Sequence, residues 1–303
     1  MTGQLLLLFG NARGQWPAGA WFEHRGSIRG NPKAMITDHD IYFFDLQGYL
    51  LLKGALSADE VGAINAILDT APPLKPGERW GNVQAHWYND NDGLNLQHIY
   101  EAGEPFERLI DHPSWYEHAK YFVDAEGSFD SLHGPLYIDE NFANFRGPGE
   151  AIGMHSGGHI GIIRCQFRVL NAKFHCGQIN ILTALSDIGP GDGGTLVIPG
   201  SHKSNFEHPE MASYVMHSNK SGQAPEGAVE VHMNAGDALL FVDALCHGST
   251  QRTNPGTRRV VVYRYGPSWG RSRHDYEPSP ELLDRLTPLC RRMVNPTVPE
   301  PAI

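Results

Sequence analysis

Beyond about residue 135 the chain is a succession of short β-rich runs, FRVLNAKF, GQINILTALSDI, TLVIPGSH, AVEVHM, DALLFV and RRVVVYRYG, separated by Gly- and Pro-containing turns such as GPGDGG. Strands at this spacing, with no helical periodicity between them, leave no room for the crossover helices of a parallel βαβ sheet. They point to a mainly β fold with flanking helices, a sandwich or jelly roll. The segment before them supplies an N-terminal helical layer. FFDLQGYLLLKGAL alternates as a strand does, and Ser57 with Glu60 three residues on has the pattern of a capping box. Val61, Ile64, Ile67 and Leu68 then recur at helical spacing and predict a helix with one buried face. A second helix is expected over residues 102–112, ended by Pro113, and a short one around WYEHAKYFV.

Residues 1–35 lack periodicity and read as a loose arm, residues 36–270 as one domain with a jelly-roll core over about 135–267, and residues 271–303 as an extension with a Pro-rich end. An excess of acidic over basic residues, 34 against 24 for a formal charge of −10, argues against nucleic acid or an anionic membrane as the partner. A small-molecule substrate is expected instead; the oligomeric state is left open. Cys165, Cys176, Cys246 and Cys290 form no C-x-x-C pair, so neither a zinc ribbon nor a disulfide framework is indicated. The apolar run LLLLF is far shorter than the roughly 20 residues of a membrane span and lacks a basic flank, so a cytoplasmic location is expected.

Two histidines stand out by context. His155 follows a Gly-rich approach in EAIGMHSGGHIGIIR, and His247 closes DALLFVDALCH, read as one strand. Antiparallel neighbours in a jelly roll could bring them together. Arg258, eleven residues after His247 and on the next strand, would reach the same cavity across a hairpin with the turn RTNPGT. A guanidinium presents a rigid donor fork suited to a carboxylate, and Ser249 could add a hydroxyl donor. Of Arg258 and Arg259, alternation sends one inward, and that one would be functional.

The runs GQINILTALSDIGPGDGGTLVIPGSHKS and GDALLFVDALCHGSTQRTNPGTRRVVVYRYGPSW resemble the phytanoyl-CoA dioxygenase family of iron(II)- and 2-oxoglutarate-dependent oxygenases over roughly residues 42–267. The resemblance implies a double-stranded β-helix (jelly roll, cupin-like), an H-x-D pair and a distal His on Fe(II), and Arg and Ser on 2-oxoglutarate, with dioxygen as co-substrate. His155 falls at the first ligand, His247 at the distal one, and Arg258 and Ser249 at the co-substrate contacts. Gly157 stands where the carboxylate should be.

Three readings follow. Asp243, or His159, replaces the missing ligand and the enzyme hydroxylates a C–H bond; the position at Gly157 is vacant and takes chloride, as in related halogenases; or the domain no longer activates oxygen and only binds. Cupin enzymes favour H-x-H, which HSGGH does not supply.

Gln178, Asn180 and Thr183 lie along one strand expected to line the barrel, with Gln178 or Thr183 as co-substrate contacts. Gly193 and Gly194 suit a tight turn, and His202 and Lys203 a cap at the cavity mouth. The aromatic-rich segment 79–101 reads equally as a lid over the mouth, with Trp80, Trp87, Tyr88 and His98 touching substrate, or as packing between helices and barrel.

Overall fold

Two capping boxes open the helical part. Thr37 Oγ1 accepts from the Asp40 N–H at 3.2 Å while the Asp40 carboxylate accepts from the Thr37 N–H at 2.8 Å, starting α1 (Asp38–Gln47). Ser57 and Glu60 do the same for α2 (Ala58–Leu68), which buries Val61, Ile64 and Leu68 as the spacing predicts. The computed structural model describes residues 28–29, 35–88, 93–123, 134, 136–158, 161–214, 224–270 and 276–296. Most of the 1–35 arm and the end of the Pro-rich tail thus lie outside the described residues.

The alternation of FFDLQGYLLLKGAL predicts a strand, but FFDLQ closes α1. The cap at Thr37 and the left-handed Gly48 (φ 83°) bound that segment more strongly than its pattern does. Ile28–Arg29 (β1) pairs in parallel with Tyr49–Lys53 (β2). The 79–101 segment forms β3 (Arg79–Trp80), β4 (Val83–His86) and β5 (Leu94–Gln97), which extend a sheet, so these stretches are sheet rather than lid. The helix expected over 102–112 shrinks to one turn, α3 (Glu104–Glu107), followed by turns; α4 (Tyr116–Val123) forms as expected.

Ten strands follow: β6 (Tyr137–Arg146), β7 (Ile152–His155), β8 (Phe167–Leu170), β9 (Lys173–Cys176), β10 (Ile179–Ala184), β11 (Thr195–Val197), β12 (Val229–Val231), β13 (Ala238–Val242), β14 (His247–Ser249) and β15 (Arg258–Gly266). They assemble with the earlier strands into a nine-stranded sheet, β1-β2-β13-β10-β15-β6-β5-β4-β3, and a four-stranded sheet, β12-β11-β14-β7, with β8-β9 apart. The two larger sheets line a common cavity, the jelly roll that the strand spacing implies. DALLFVDALCH is not one strand: a turn at Val242–Leu245 carries the chain from β13 in the large sheet to β14 in the small one. RTNPGT likewise is no hairpin turn, because β14 pairs with β11 and β7 while β15 pairs with β10 and β6.

β15 is buried on both faces. Its outward Tyr263 and Tyr265 donate hydrogen bonds to the carbonyls of Phe106 (2.7 Å) and Leu109 (2.8 Å), and Trp115 Nε1 donates to the Tyr265 hydroxyl at 3.0 Å. These bonds let large aromatics fill the space between sheet and helices without stranding a polar group. Phe44 of α1 stacks on Phe122 of α4, ring centroids 3.7 Å apart.

His202 and Lys203 fasten the end of α1 rather than capping a cavity mouth. The His202 ring hydrogen-bonds through Nε2 to the Asp45 carbonyl at 3.1 Å and meets Phe167 edge-on, while Lys203 pairs with the Asp45 carboxylate at 3.1 Å. Burial pushes the His202 pKa down to about 4. Below about pH 6.5 the unfolded chain takes up a proton at this residue that the folded chain refuses until about pH 4, so folding stability falls as pH drops through that window. The slope is at most ~1.4 kcal/mol per pH unit. Urea midpoints across that window should fall less steeply for His202→Gln than for the unaltered chain.

Candidate active site

β7 and β14 are neighbours, and His155 sits directly opposite His247 with ring centroids 4.1 Å apart. Ile152 and His155 are three residues apart and would face opposite sides of a regular strand. A register shift between His247 and Ser249 turns both toward the cavity, a common use of a β-bulge beside a site. Each ring meets the carbonyl two residues back through Nδ1: His155 to Gly153 at 3.0 Å and His247 to Leu245 at 2.7 Å. An Nδ1–H that donates to its own chain leaves the Nε2 lone pair for another partner. Burial first, then the neighbouring His155, pushes the His247 pKa down to about 3, so that ring stays neutral, the form in which imidazole binds metal.

A third protein ligand does not join the pair: among the described residues no group of three or more His, Cys, Asp or Glu could hold a metal ion. Asp243 lines the same cavity, but its carboxylate is engaged elsewhere. Oδ1 accepts from Gln178 Nε2 at 3.3 Å and Asn180 Nδ2 at 3.1 Å; Oδ2 lies 3.1 Å from Arg164 Nε and accepts from the Cys165 thiol at 3.3 Å. Four contacts match the roughly four lone-pair directions of a carboxylate. Burial, reinforced by Asp243, pushes the Cys165 thiol up to about 12 and keeps it protonated as that donor.

In MHSGGH, Ser156 (φ 64°) lines the cavity of the histidines, whereas Gly157 (φ 111°) lines a different one with Pro199, Ser201 and Met211. A Cβ on Gly158 would come within 2.3 Å of the His202 carbonyl oxygen. The glycines thus serve a tight turn against the loop after β11. His159 lies outside the described residues.

The cavity, about 260 Å³, lies between the two larger sheets, and the inward residues of β15, Arg258, Val260, Val262 and Arg264, run along it. At one end Arg258, 4 % exposed, donates from Nη1 to the Gly193 carbonyl and from Nη2 to Asn144 Oδ1 at 3.3 Å. Beside it the Ser249 hydroxyl accepts from Arg146 Nη1 at 2.6 Å and from the Ile152 N–H at 3.2 Å. With both acceptor positions filled, its proton is left to donate into the cavity that Ser249 lines.

Arg146 is a buried arginine beside the site that the sequence reading missed. It is buried, pairs across the sheet with Arg258, and sits in YIDENFANFR, a run whose inward side is polar. The GDGG turn is cut to fit it: Gly193 has φ 73°, and a Cβ there would lie 3.0 Å from Arg146 Nη1. At the far end Arg264 pairs with Glu140 at 2.7 Å, and Tyr88 and Gln97 both donate to that carboxylate.

The remaining expected contacts divide by strand parity. Arg259, on the outward face, pairs with Asp69 at 2.7 Å and leaves Arg258 as the inward member. Gln178 and Asn180 share a face and hold Asp243, but Thr183 has the opposite parity, and Leu182 lines the cavity in its place. Trp87 is 43 % exposed and His98 stacks on Tyr276 at 3.5 Å; neither lines the cavity, whereas Tyr88 does.

The family model described as phytanoyl-CoA dioxygenase (PhyH) matches residues 44–260. The chain is similar to dioxygenase olcK of Penicillium canescens, 25% identical over 264 residues covering 84% of this chain and 79% of that protein. It is 33% identical over 119 residues to the iron/alpha-ketoglutarate-dependent dioxygenase penM of Penicillium thymicola, covering 39% of this chain and 34% of that one. Dioxygenase cdmD of Talaromyces verruculosus is 27% identical over 118 residues; the match spans 39% of this chain and about a third (35%) of that relative. In fold the chain is similar to HygX from Streptomyces hygroscopicus with nickel and 2-oxoglutarate bound, at a TM-score of 0.62 and 23% identity over 78% of this chain and 88% of that one. A model match that runs from α1 to Val260 of β15, and so includes Arg258, shows that the chain belongs to the phytanoyl-CoA dioxygenase family of non-haem iron(II)- and 2-oxoglutarate-dependent oxygenases.

Proposed function

We propose that the protein hydroxylates a C–H bond of a small organic molecule, with Fe(II) held by His155 and His247 and 2-oxoglutarate held by Arg258 and Ser249. The observation that carries this reading is the convergence of two facing imidazoles, a buried guanidinium and a directed hydroxyl on one cavity between the sheets. The residues fit the cofactors: the Nδ1 contacts orient both rings so that Nε2 is the atom that would bind a metal, and the buried Arg258 brings a positive charge that would suit a carboxylate. When bound, the metal supplies activation of dioxygen coupled to decarboxylation of 2-oxoglutarate to succinate. The chain's own part is to orient and to exclude water. Arg258 and Ser249 fix the co-substrate carboxylate, and Phe142, Leu182, Phe241, Val260 and Val262 keep the reacting carbon in apolar surroundings.

A second reading has one observation in its favour. Because the Asp243 carboxylate is held by Gln178, Asn180, Cys165 and the Arg164 ion pair, it does not replace the missing H-x-D carboxylate, and a chloride bound beside the histidine pair in its stead would redirect the reaction to halogenation, although Gly157 itself lines the neighbouring cavity. Anaerobic titration of the Fe(II)-loaded chain with 2-oxoglutarate separates the two. A visible charge-transfer band indifferent to chloride supports hydroxylation, a band that moves with chloride supports halogenation, and no band overturns both.

Two sets of variants check the assignments. His155→Ala and His247→Ala should each abolish the band, read by the same titration. Arg258→Ala should raise the 2-oxoglutarate needed for half-saturation roughly tenfold to a hundredfold, the worth of a charge-assisted pair. Arg146→Met should raise it about threefold to tenfold with Fe(II) affinity unchanged, and Arg146→Lys should recover part of the loss, because Arg146 acts through the Ser249 hydroxyl.

A further inference from the structure

A second cavity, about 300 Å³, opens beside the first. Its lining comes from the 3-10 turn Ile163–Cys165, the β8–β9 hairpin, Val123 at the end of α4, and the Pro267–Gly270 loop after β15. Arg164 lines both cavities, so the two share a wall, and that wall is held by the ion pair from Arg164 to Asp243 at 3.1 Å.

Two independent features set this outer cavity apart from the rest of the surface. The first is charge. In a chain of formal charge −10, the charged residues lining it are Arg164 and Arg168, joined by His175, with no carboxylate among the described lining residues. The hairpin explains the grouping: Arg168 lies directly opposite His175, so strand alternation puts both on one face, along with Lys173. Arg168 is exposed and donates to the Gln166 side-chain oxygen, which occupies one of the five donors of a guanidinium.

The second is apolar exposure. Ile163 (53 %), Leu170 (56 %) and Trp269 (61 %) line the cavity yet stand open to solvent, with Ile162 exposed next to Ile163 in the chain. Single exposed apolar residues are ordinary, but a contiguous group around a concavity marks a binding surface. Apolar walls with a cationic rim suit a ligand that is itself amphipathic and acidic.

We propose that the outer cavity binds the anionic end of an amphipathic substrate, a carboxylate or phosphate held by Arg168, whose apolar body passes Arg164 toward the histidine pair. The inference rests on the oxygenase reading for its inner end only. It makes the substrate an elongated acid rather than a neutral or cationic molecule, and it gives Arg164 and Asp243 the task of a partition between the anion site and the reacting carbon.

The test is a binding titration of the full chain with decanoate, decyl phosphate and decanol, followed by calorimetry and by tryptophan fluorescence. Decanoate or decyl phosphate should bind at least tenfold more tightly than decanol and change the fluorescence, and Trp269→Phe should remove that change. Arg168→Gln should weaken the acids about tenfold and leave decanol alone, while Arg168→Lys should retain most of the affinity. The tighter of the two acids identifies the anion. Equal binding of acids and alcohol, or indifference of the acids to Arg168→Gln, overturns the proposal. Arg168 is exposed, so an unchanged thermal midpoint in the variant separates loss of binding from loss of fold. The titration needs neither metal nor oxygen; its failure would leave the oxygenase reading standing, and failure of the metal titration would leave the anion site standing.

Discussion

The structure depends on one strand having no solvent side. β15 lies in the middle of the nine-stranded sheet, between β10 and β6, and its alternation divides nine residues between two buried environments. Outward, Tyr263 and Tyr265 tie the helical segment to the barrel through carbonyls that an irregular chain would otherwise strand. Inward, Arg258 and Arg264 stand at the two ends of a cavity whose middle is Val260 and Val262. A slip of one residue would exchange tyrosines for arginines, so packing of the helices and placement of the charges fix the same register.

Buried cations dictate much of the remaining architecture. Each has been given acceptors by a different local device: the Gly193 carbonyl and Asn144 for Arg258, the Ser249 hydroxyl and the Glu150 and Thr250 carbonyls for Arg146, and Glu140 for Arg264. A guanidinium in a dry interior is tolerable only where such acceptors are built around it. The glycine turn at 191–194 and the polar inner face of β6 follow from that requirement.

This explains what could be seen in the sequence and what could not. The late strands were legible because their outer faces are apolar and their turns carry Gly and Pro; so was the α2 capping box. β6 was not, because Glu140, Asn144 and Arg146 occupy its inward positions and give it the composition of a loop, although each has a polar partner on another strand: Arg264, Asn95 and Ser249. His155, His247, Ser249 and Arg258 were legible as a resemblance and as chemistry. The engagement of Asp243 was not, since Gln178 and Asn180 around the start of β10 and Arg164 and Cys165 in one turn reach it from segments that only the fold brings together. Parity decided Arg258 over Arg259 and Leu182 over Thr183, a distinction that needs the strand's exact phase.

The position of β7 carries a consequence for the empty and loaded forms of the protein. It is the edge strand of the small sheet, joined to β14 by a short, bulged ladder whose last rung is the pair His155 and His247. Edge strands with few rungs open more readily than central ones. A metal held by both imidazoles would act as a clip across that rung and close the ladder where it is weakest. Amide exchange along β7 would then report occupancy of the site, and the metal would be part of what keeps the barrel's rim in place as well as part of its chemistry.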